Sequence, residues 1–138
     1  MAIFGLARSG MSALRHQSSK GDYECYAVNR GEPQTWEHYE EVAQLIGEQH
    51  CYNEDDSKSL LGEMDVIVKS PGIPYTHPAL AKARDNKVEI ISEIEYAFRC
   101  SDIPVVAITG TNGKTTTATM VFELLSSLGK KVFLGGNI

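Results

Sequence analysis

Little in this chain points to metal, disulfide or membrane chemistry. Its three cysteines, Cys25, Cys51 and Cys100, are odd in number and far apart. No pair has the spacing of a zinc site, so they read as free thiols in a reducing compartment. The four histidines, His16, His38, His50 and His77, also lack ligand spacing. No apolar run approaches the roughly 20 residues of a membrane span. Met1-Ala2-Ile3-Phe4-Gly5 has neither the basic start nor the apolar centre of a signal peptide. Positive charge is short as well. Lys and Arg number 13 against 18 Asp and Glu, a net charge of −5 that argues against a dedicated nucleic-acid surface. No internal repeat or low-complexity stretch interrupts the chain.

What is present is an alternation. At 138 residues the chain suffices for one ordinary domain, or a small domain and part of another. Apolar strand-like runs fall near 2–4, 24–28, 49–52, 65–69, 88–91, 104–108 and 131–134. Helical segments fall near 10–20, 36–47, 56–62, 77–86, 92–99 and 114–128. Strands alternating with helices predict an α/β fold with a Rossmann-like parallel sheet and flanking helices.

The most specific stretch is Thr109-Gly110-Thr111-Asn112-Gly113-Lys114-Thr115-Thr116. It follows the run Val105-Val106-Ala107-Ile108 and precedes a segment with apolar residues at Met120, Val121, Leu124, Leu125 and Leu128. Strand, glycine turn ending in Gly-Lys-Thr, then helix is the arrangement of a phosphate-binding P-loop. Backbone N–H groups at the helix start would face an anion, and the helix dipole favours negative charge there. Lys114 would reach the outer phosphates and Thr115 would set its hydroxyl on Mg²⁺, which together indicate ATP. The general pattern asks for Gly where Ile108 stands, and Gly110 takes over the tight backbone two residues later. The other reading is a plain turn with an incidental Gly-Lys-Thr.

Three more loops follow expected strands. Gly5-Leu6-Ala7-Arg8-Ser9-Gly10 stands where a dinucleotide-binding turn would, but Ala7 replaces its middle glycine, so a pyrophosphate cannot approach as closely. The second strand ends in Asn29-Arg30. An NAD site wants an acid there, so NAD is disfavoured, and Arg30 suits a phosphorylated ligand. Ser70-Pro71-Gly72-Ile73-Pro74 carries the Pro-Gly signature of a type II turn, with Gly72 expected at positive φ. Its N–H groups would receive a phosphate, the alternative being a rigid turn. Loops at strand carboxyl ends are where open parallel sheets bind ligands.

Other residues read as structural. Glu54-Asp55-Asp56 suits a solvated helix start. Trp36, Tyr39, Val42 and Ala43 fall at helical spacing, and His77-Pro78 reads as a helix opening. Glu93 and Glu95, two apart in a helix, do not share a face.

The loop at 109–116 resembles that of the Mur ligases and the related folylpolyglutamate synthases. The order of motifs along the chain, ending in Gly135-Gly136-Asn137-Ile138, is similar to the N-terminal part of the D-glutamate-adding Mur ligases. The resemblance implies residues 1–92 as a Rossmann-like domain binding the UDP end of a substrate. Residues 93–138 would be the strand, P-loop, helix and strand that open a central ATP-binding domain. It implies that Arg8, Ser9, Gly10, Asn29, Arg30, Ser70, Pro71, Gly72 and Asn137 contact the UDP substrate. Gly110, Thr111, Asn112, Gly113, Lys114, Thr115 and Thr116 would hold ATP, with Lys114 and Thr115 catalytic and Thr115 on Mg²⁺. Val28 and Asn29 stand where Asp and Thr are common in the family, a departure that bears on uracil recognition.

The family reaction joins D-glutamate to UDP-N-acetylmuramoyl-L-alanine through an acyl-phosphate, in bacterial cytoplasm, for peptidoglycan. The whole enzyme is expected to be monomeric, without nucleic-acid or membrane partners. Both ends of the chain read as cut. After Thr115 the only acid is Glu123, too few for a Mg²⁺ site, so this stretch alone is expected to be inactive. Alternatives are another Mur ligase or a folylpolyglutamate synthase, a non-enzymatic UDP-binding module, and an NADP-linked oxidoreductase domain.

Overall fold

The structure, a computed structural model, describes residues 1–136. Five short apolar runs become strands: β1 (Ala2–Phe4), β2 (Tyr26–Asn29), β3 (Cys51–Asn53), β4 (Val66–Lys69) and β5 (Glu89–Ser92). All pair in parallel, in the order β3-β2-β1-β4-β5. Helices occupy the connections, α1 (Arg8–Lys20), α2 (Tyr39–Ile46), α3 (Lys58–Leu61) and α4 (Ala81–Asp85), and α5 (Glu93–Arg99) follows β5.

The two-residue side-chain period of a strand splits the sheet's apolar residues between two cores. On one face Ile3, Ala27 and Val68 pack with Met11, Leu14, Val42 and Tyr96 of α1, α2 and α5. On the other, Ala2, Phe4, Val28 and Ile67 pack with Leu61, Leu80 and Ala83. The result is a helix–sheet–helix sandwich. Because both sheet faces are covered, the strands read as continuous apolar runs, not alternating ones.

These elements form one compact unit, Met1–Asp102. It takes in α5, which packs against α1 and β5. Some elements are also shorter than expected. Trp36 lies before α2, closing a 3₁₀ turn at Pro33–Thr35, and its indole reaches the core independently of any helical spacing. A second 3₁₀ turn, Pro78–Leu80, precedes α4.

Residues 103–138 form a second unit whose one regular element is α6 (Lys114–Ser127) among the described residues. The strands expected at 104–108 and 131–134 do not form. A strand is completed by a partner's N–H and C=O groups, and neither run pairs with another strand. Val105, Val106 and Phe133 are exposed accordingly.

Candidate ligand-binding crevice

The strand order reverses between β1 and β4. The chain leaves β1 toward β2 on one side and leaves β4 toward β5 on the other, which opens a crevice at the strands' carboxyl ends. Register brings the loop residues to one level. Phe4 pairs with both Val28 and Lys69, so Gly5, Asn29 and Ser70 follow side by side. Backbone bonds hold them there: Gly5 N–H donates to Val28 O at 2.8 Å and Ser70 N–H to Phe4 O at 2.9 Å.

Two glycines let these walls meet. Gly5 has φ of +95°, and a Cβ on it would lie 2.7 Å from Ser70 Cβ. Gly10 sits in the first turn of α1, where a Cβ would stand 1.9 Å from Gly5 O. Gly10 therefore has the role of the third fingerprint glycine, close packing of helix on strand. It is buried and contributes shape, not a contact surface. The α1 N-terminus has no side-chain cap.

A hollow of about 230 Å³ lies over these loops, lined among others by Phe4, Gly5, Asn29, Arg30, Glu54, Ser70, Gly72 and His77. A second of about 250 Å³ shares Leu6, Ala7 and Asn29 with it and adds Trp36, Glu37 and His38. Asn29, Arg30, Ser70 and Gly72, named from sequence, thus come together. Arg8, Ser9, Gly10 and Pro71 lie beside the hollows without lining them. Arg8 and Arg30 are exposed, and among the described residues neither has an ion-pair partner. Lys69 is spoken for, its Nζ donating to Ile73 O at 2.8 Å.

The turn after β4 departs from expectation. Ile73 N–H donates to Ser70 O at 3.0 Å, closing a four-residue turn. Gly72 is not among the positive-φ glycines, so the turn is not type II. Pro at the second position is equally suited to type I, which keeps its third residue at negative φ. The Gly72 Cβ position is open space. The Ser70 side chain is buried and donates its hydroxyl to Glu93 Oε1 at 2.7 Å.

Several lining residues carry no sequence signal of their own. Glu54 follows β3, where Asn53 Oδ1 accepts the Asp55 and Asp56 N–H groups and turns the chain. His77 Nδ1 accepts the Ala79 N–H at 3.3 Å, which leaves Nε2 as the protonated nitrogen, 3.6 Å from Glu54 Oε2. Its ring meets Phe4 edge-on at 5.3 Å. Trp36 donates its indole N–H to Gly31 O at 3.0 Å and fixes the loop after β2. Glu93 is buried between Ser9 and Ser70.

In the second unit, Gly110 and Gly113 adopt positive φ, and Gly113 leads into α6. No side chain caps this helix and its first turn holds no acid. Lys114 folds back, donating to Gly110 O at 2.6 Å and Thr111 O at 3.3 Å. A glycine turn, uncapped N–H groups and one ammonium fit a phosphate chain. For Mg²⁺ the fit is partial. Thr115 offers one hydroxyl, and no group of three His, Cys, Asp or Glu side chains able to hold a metal occurs among the described residues. Asn137, expected from sequence to contact the substrate, lies outside the described residues.

Residues 1–92 match a family described as "Mur ligase MurD-like, N-terminal domain". The chain is 38% identical over 141 residues to the UDP-N-acetylmuramoylalanine--D-glutamate ligase of Syntrophus aciditrophicus, covering 100% of this chain and 30% of that protein. It is 36% identical to the ligase of the same name from a Geobacillus species, covering 99% of this chain and 30% of the relative. Among solved structures it resembles UDP-N-acetylmuramate-alanine ligase MurC of Thermotoga maritima, with TM-score 0.57 and 30% identity. That match covers 99% of this chain and 32% of the other. The chain therefore spans about 30% of the length of its curated relatives.

Proposed function

Because this chain belongs to the Mur ligase family through its MurD-like N-terminal domain, we propose that it supplies the UDP-substrate-binding part of a D-glutamate-adding ligase of peptidoglycan synthesis. Residues 1–102 would bind the nucleotide end of UDP-N-acetylmuramoyl-L-alanine in the crevice between β1 and β4. The observation that carries this reading is the convergence of Asn29, Arg30, Ser70 and Gly72 on one hollow at the sheet's switch point. Arg30, exposed and without an ion-pair partner among the described residues, offers charge-assisted hydrogen bonds to the nucleotide at its uridine end, and Arg8 adds a second cation nearby. Asn29 offers both donor and acceptor to a base or ribose. The missing middle glycine at Ala7 and the missing acid after β2 argue against a nicotinamide dinucleotide.

Residues 103–138 would form the phosphate-binding part of the ATP site, with Lys114 neutralising charge on the phosphates and Thr115 giving one oxygen to Mg²⁺. When bound, ATP supplies the phosphoryl group that turns a carboxylate oxygen into a leaving group for the D-glutamate amine. Lys114 acts by position and charge, which is the main protein contribution in phosphoryl transfer. Asn137 belongs to the proposed substrate contacts. The remaining metal ligands and the D-glutamate site would come from the longer protein, a cytoplasmic monomer in this reading. Taken alone, the 138 residues would show no ligase activity.

Calorimetric titration of the chain with UDP-N-acetylmuramoyl-L-alanine tests the reading. Saturable one-site binding is expected, weakened about tenfold or more by Arg30→Ala, since a lost charge-assisted bond costs about 1.5–3 kcal/mol. Absence of saturable binding, or tighter binding of NADP than of UDP, would overturn it. ADP release dependent on D-glutamate from the chain alone would overturn the expectation of inactivity.

A further inference from the structure

A single acid lines the first hollow, and it has no part in the function proposed so far. Glu54 follows β3 as Arg30 follows β2, and the pairing of Asn29 with Asn53 sets the two at one level. Both face the hollow of about 230 Å³, together with Asn29 and His77. The side chains of Glu54 and His77 are only 28% and 25% exposed. His77 Nε2 stands 3.6 Å from Glu54 Oε2, longer than a hydrogen bond, so neither atom is committed to the other. No other side-chain hydrogen bond or ion pair engages the Glu54 carboxylate among the described residues. The Asn29 amide is likewise without one. Val28 is fully buried in the core beside Leu61, so β2 brings no acid to this place.

The chemistry of these groups restricts what can sit against them. An ionised carboxylate only accepts, so a ligand group facing Glu54 has to donate. A phosphoryl oxygen has no proton to give. Phosphate has its own place at the other end of the hollow, where Leu6 and Ala7 lead to the uncapped start of α1, the position that takes the pyrophosphate in dinucleotide-binding sheets. Beside Glu54 the neighbouring groups are donors: His77 Nε2–H, the Arg30 guanidinium and the Asn29 amide. One acceptor among donors complements an edge with one N–H between two carbonyls. Uracil has that edge, N3–H between O2 and O4. Cytosine turns a bare N3 lone pair to the same place.

We propose that Glu54 is the specificity-determining residue for the base, its carboxylate accepting the imide N3–H of uracil. His77 Nε2–H and the Asn29–Arg30 pair donate to the flanking carbonyls. This rests on the UDP reading for the nucleotide and adds the residue that selects its base. The turn after β3, which reads from sequence as a solvated helix start, thereby carries a ligand contact.

The test titrates UDP, CDP and 3-methyl-UDP by calorimetry into the intact chain and into Glu54→Gln. The three ligands share ribose and diphosphate, so their ratios report the base alone. The intact chain should bind UDP about tenfold or more tightly than either of the others, because each leaves the carboxylate without its donor. Glutamine keeps the shape and can turn an N–H₂ group to cytosine N3, so in Glu54→Gln the UDP preference over CDP should fall to within about threefold. A merely structural role would weaken UDP and CDP together and keep their ratio, and that result sinks the proposal. Should Glu54→Gln fail to fold, the intact chain still decides. The Glu54 carboxyl carbon resonance should shift on saturation with UDP and stay in place with 3-methyl-UDP, and an equal response to both would overturn the assignment. Failure of UDP to bind the intact chain removes the UDP reading and this inference with it. UDP binding with equal affinity for 3-methyl-UDP removes the inference alone.

Discussion

At the scale of single residues, the crevice depends on atoms that are missing as much as on those present. Gly10 and Gly72 both belong to motifs read from sequence, yet their surroundings are opposite. A methyl at Gly10 would overlap the Gly5 carbonyl, while one at Gly72 meets nothing. Gly10→Ala should therefore lower stability by about 1–3 kcal/mol or more, since overpacking against backbone cannot relax by rotamer change. Gly72→Ala should stay within about 0.5 kcal/mol of the parent, as an open surface position does. Thermal melts of the two variants check this. A stable Gly10→Ala chain would mean that α1 does not sit on Gly5 as described. Glu93 shows the limit of reading residues one at a time. Its spacing from Glu95 says only that the two acids point apart, and its partners Ser9 and Ser70 are remote in sequence.

At the scale of elements, α1 and α6 have similar lengths but different surroundings. Leu14 of α1 is fully buried against the sheet, whereas Leu124 of α6 is 59% exposed. Leu14→Ala should cost about 2–5 kcal/mol, the lost transfer energy plus the cavity left behind. Leu124→Ala should change stability by less than about 0.5 kcal/mol. Denaturant melts distinguish them, and equal costs would show that α6 is packed in solution. The apolar positions of α6 were legible as a helix pattern, and the helix forms. The strands expected on either side were legible only as apolar runs. Apolarity states that a run is suited to a sheet, but a strand also requires a neighbour with free N–H and C=O groups. Turn type behaves similarly. Ser70-Pro71-Gly72-Ile73 was recognisable as a turn because Pro fixes φ. Its class was not, because Pro at that position serves types I and II alike.

At the scale of the whole molecule, the division after Asp102 has a direct consequence. The unit 1–102 has its own two cores and complete sheet, so a chain ending at Asp102 should unfold cooperatively and retain the amide shifts of residues 1–92. Loss of dispersed amide signals in that shortened chain would show that residues 103–138 contribute to its core. No helix among the described residues is long and apolar enough to cross a membrane.

The amino-acid sequence by itself determined the alternation of strands and helices, the parallel sheet and the glycine turns that follow its strands. These are local properties, set by side-chain period, by proline and glycine backbone preferences and by apolar run length. The tertiary structure alone decided which loops share a crevice, how far the first unit extends, and that Glu54, His77, Trp36 and Glu93 join them. Sheet order and register bring together residues from β1, β2, β3, β4 and α5, and no local pattern encodes a meeting between segments so far apart in the chain. The same holds for the direction of the Ser9 and Ser70 hydroxyls, because a proton's orientation is set by the acceptor that folding brings to it.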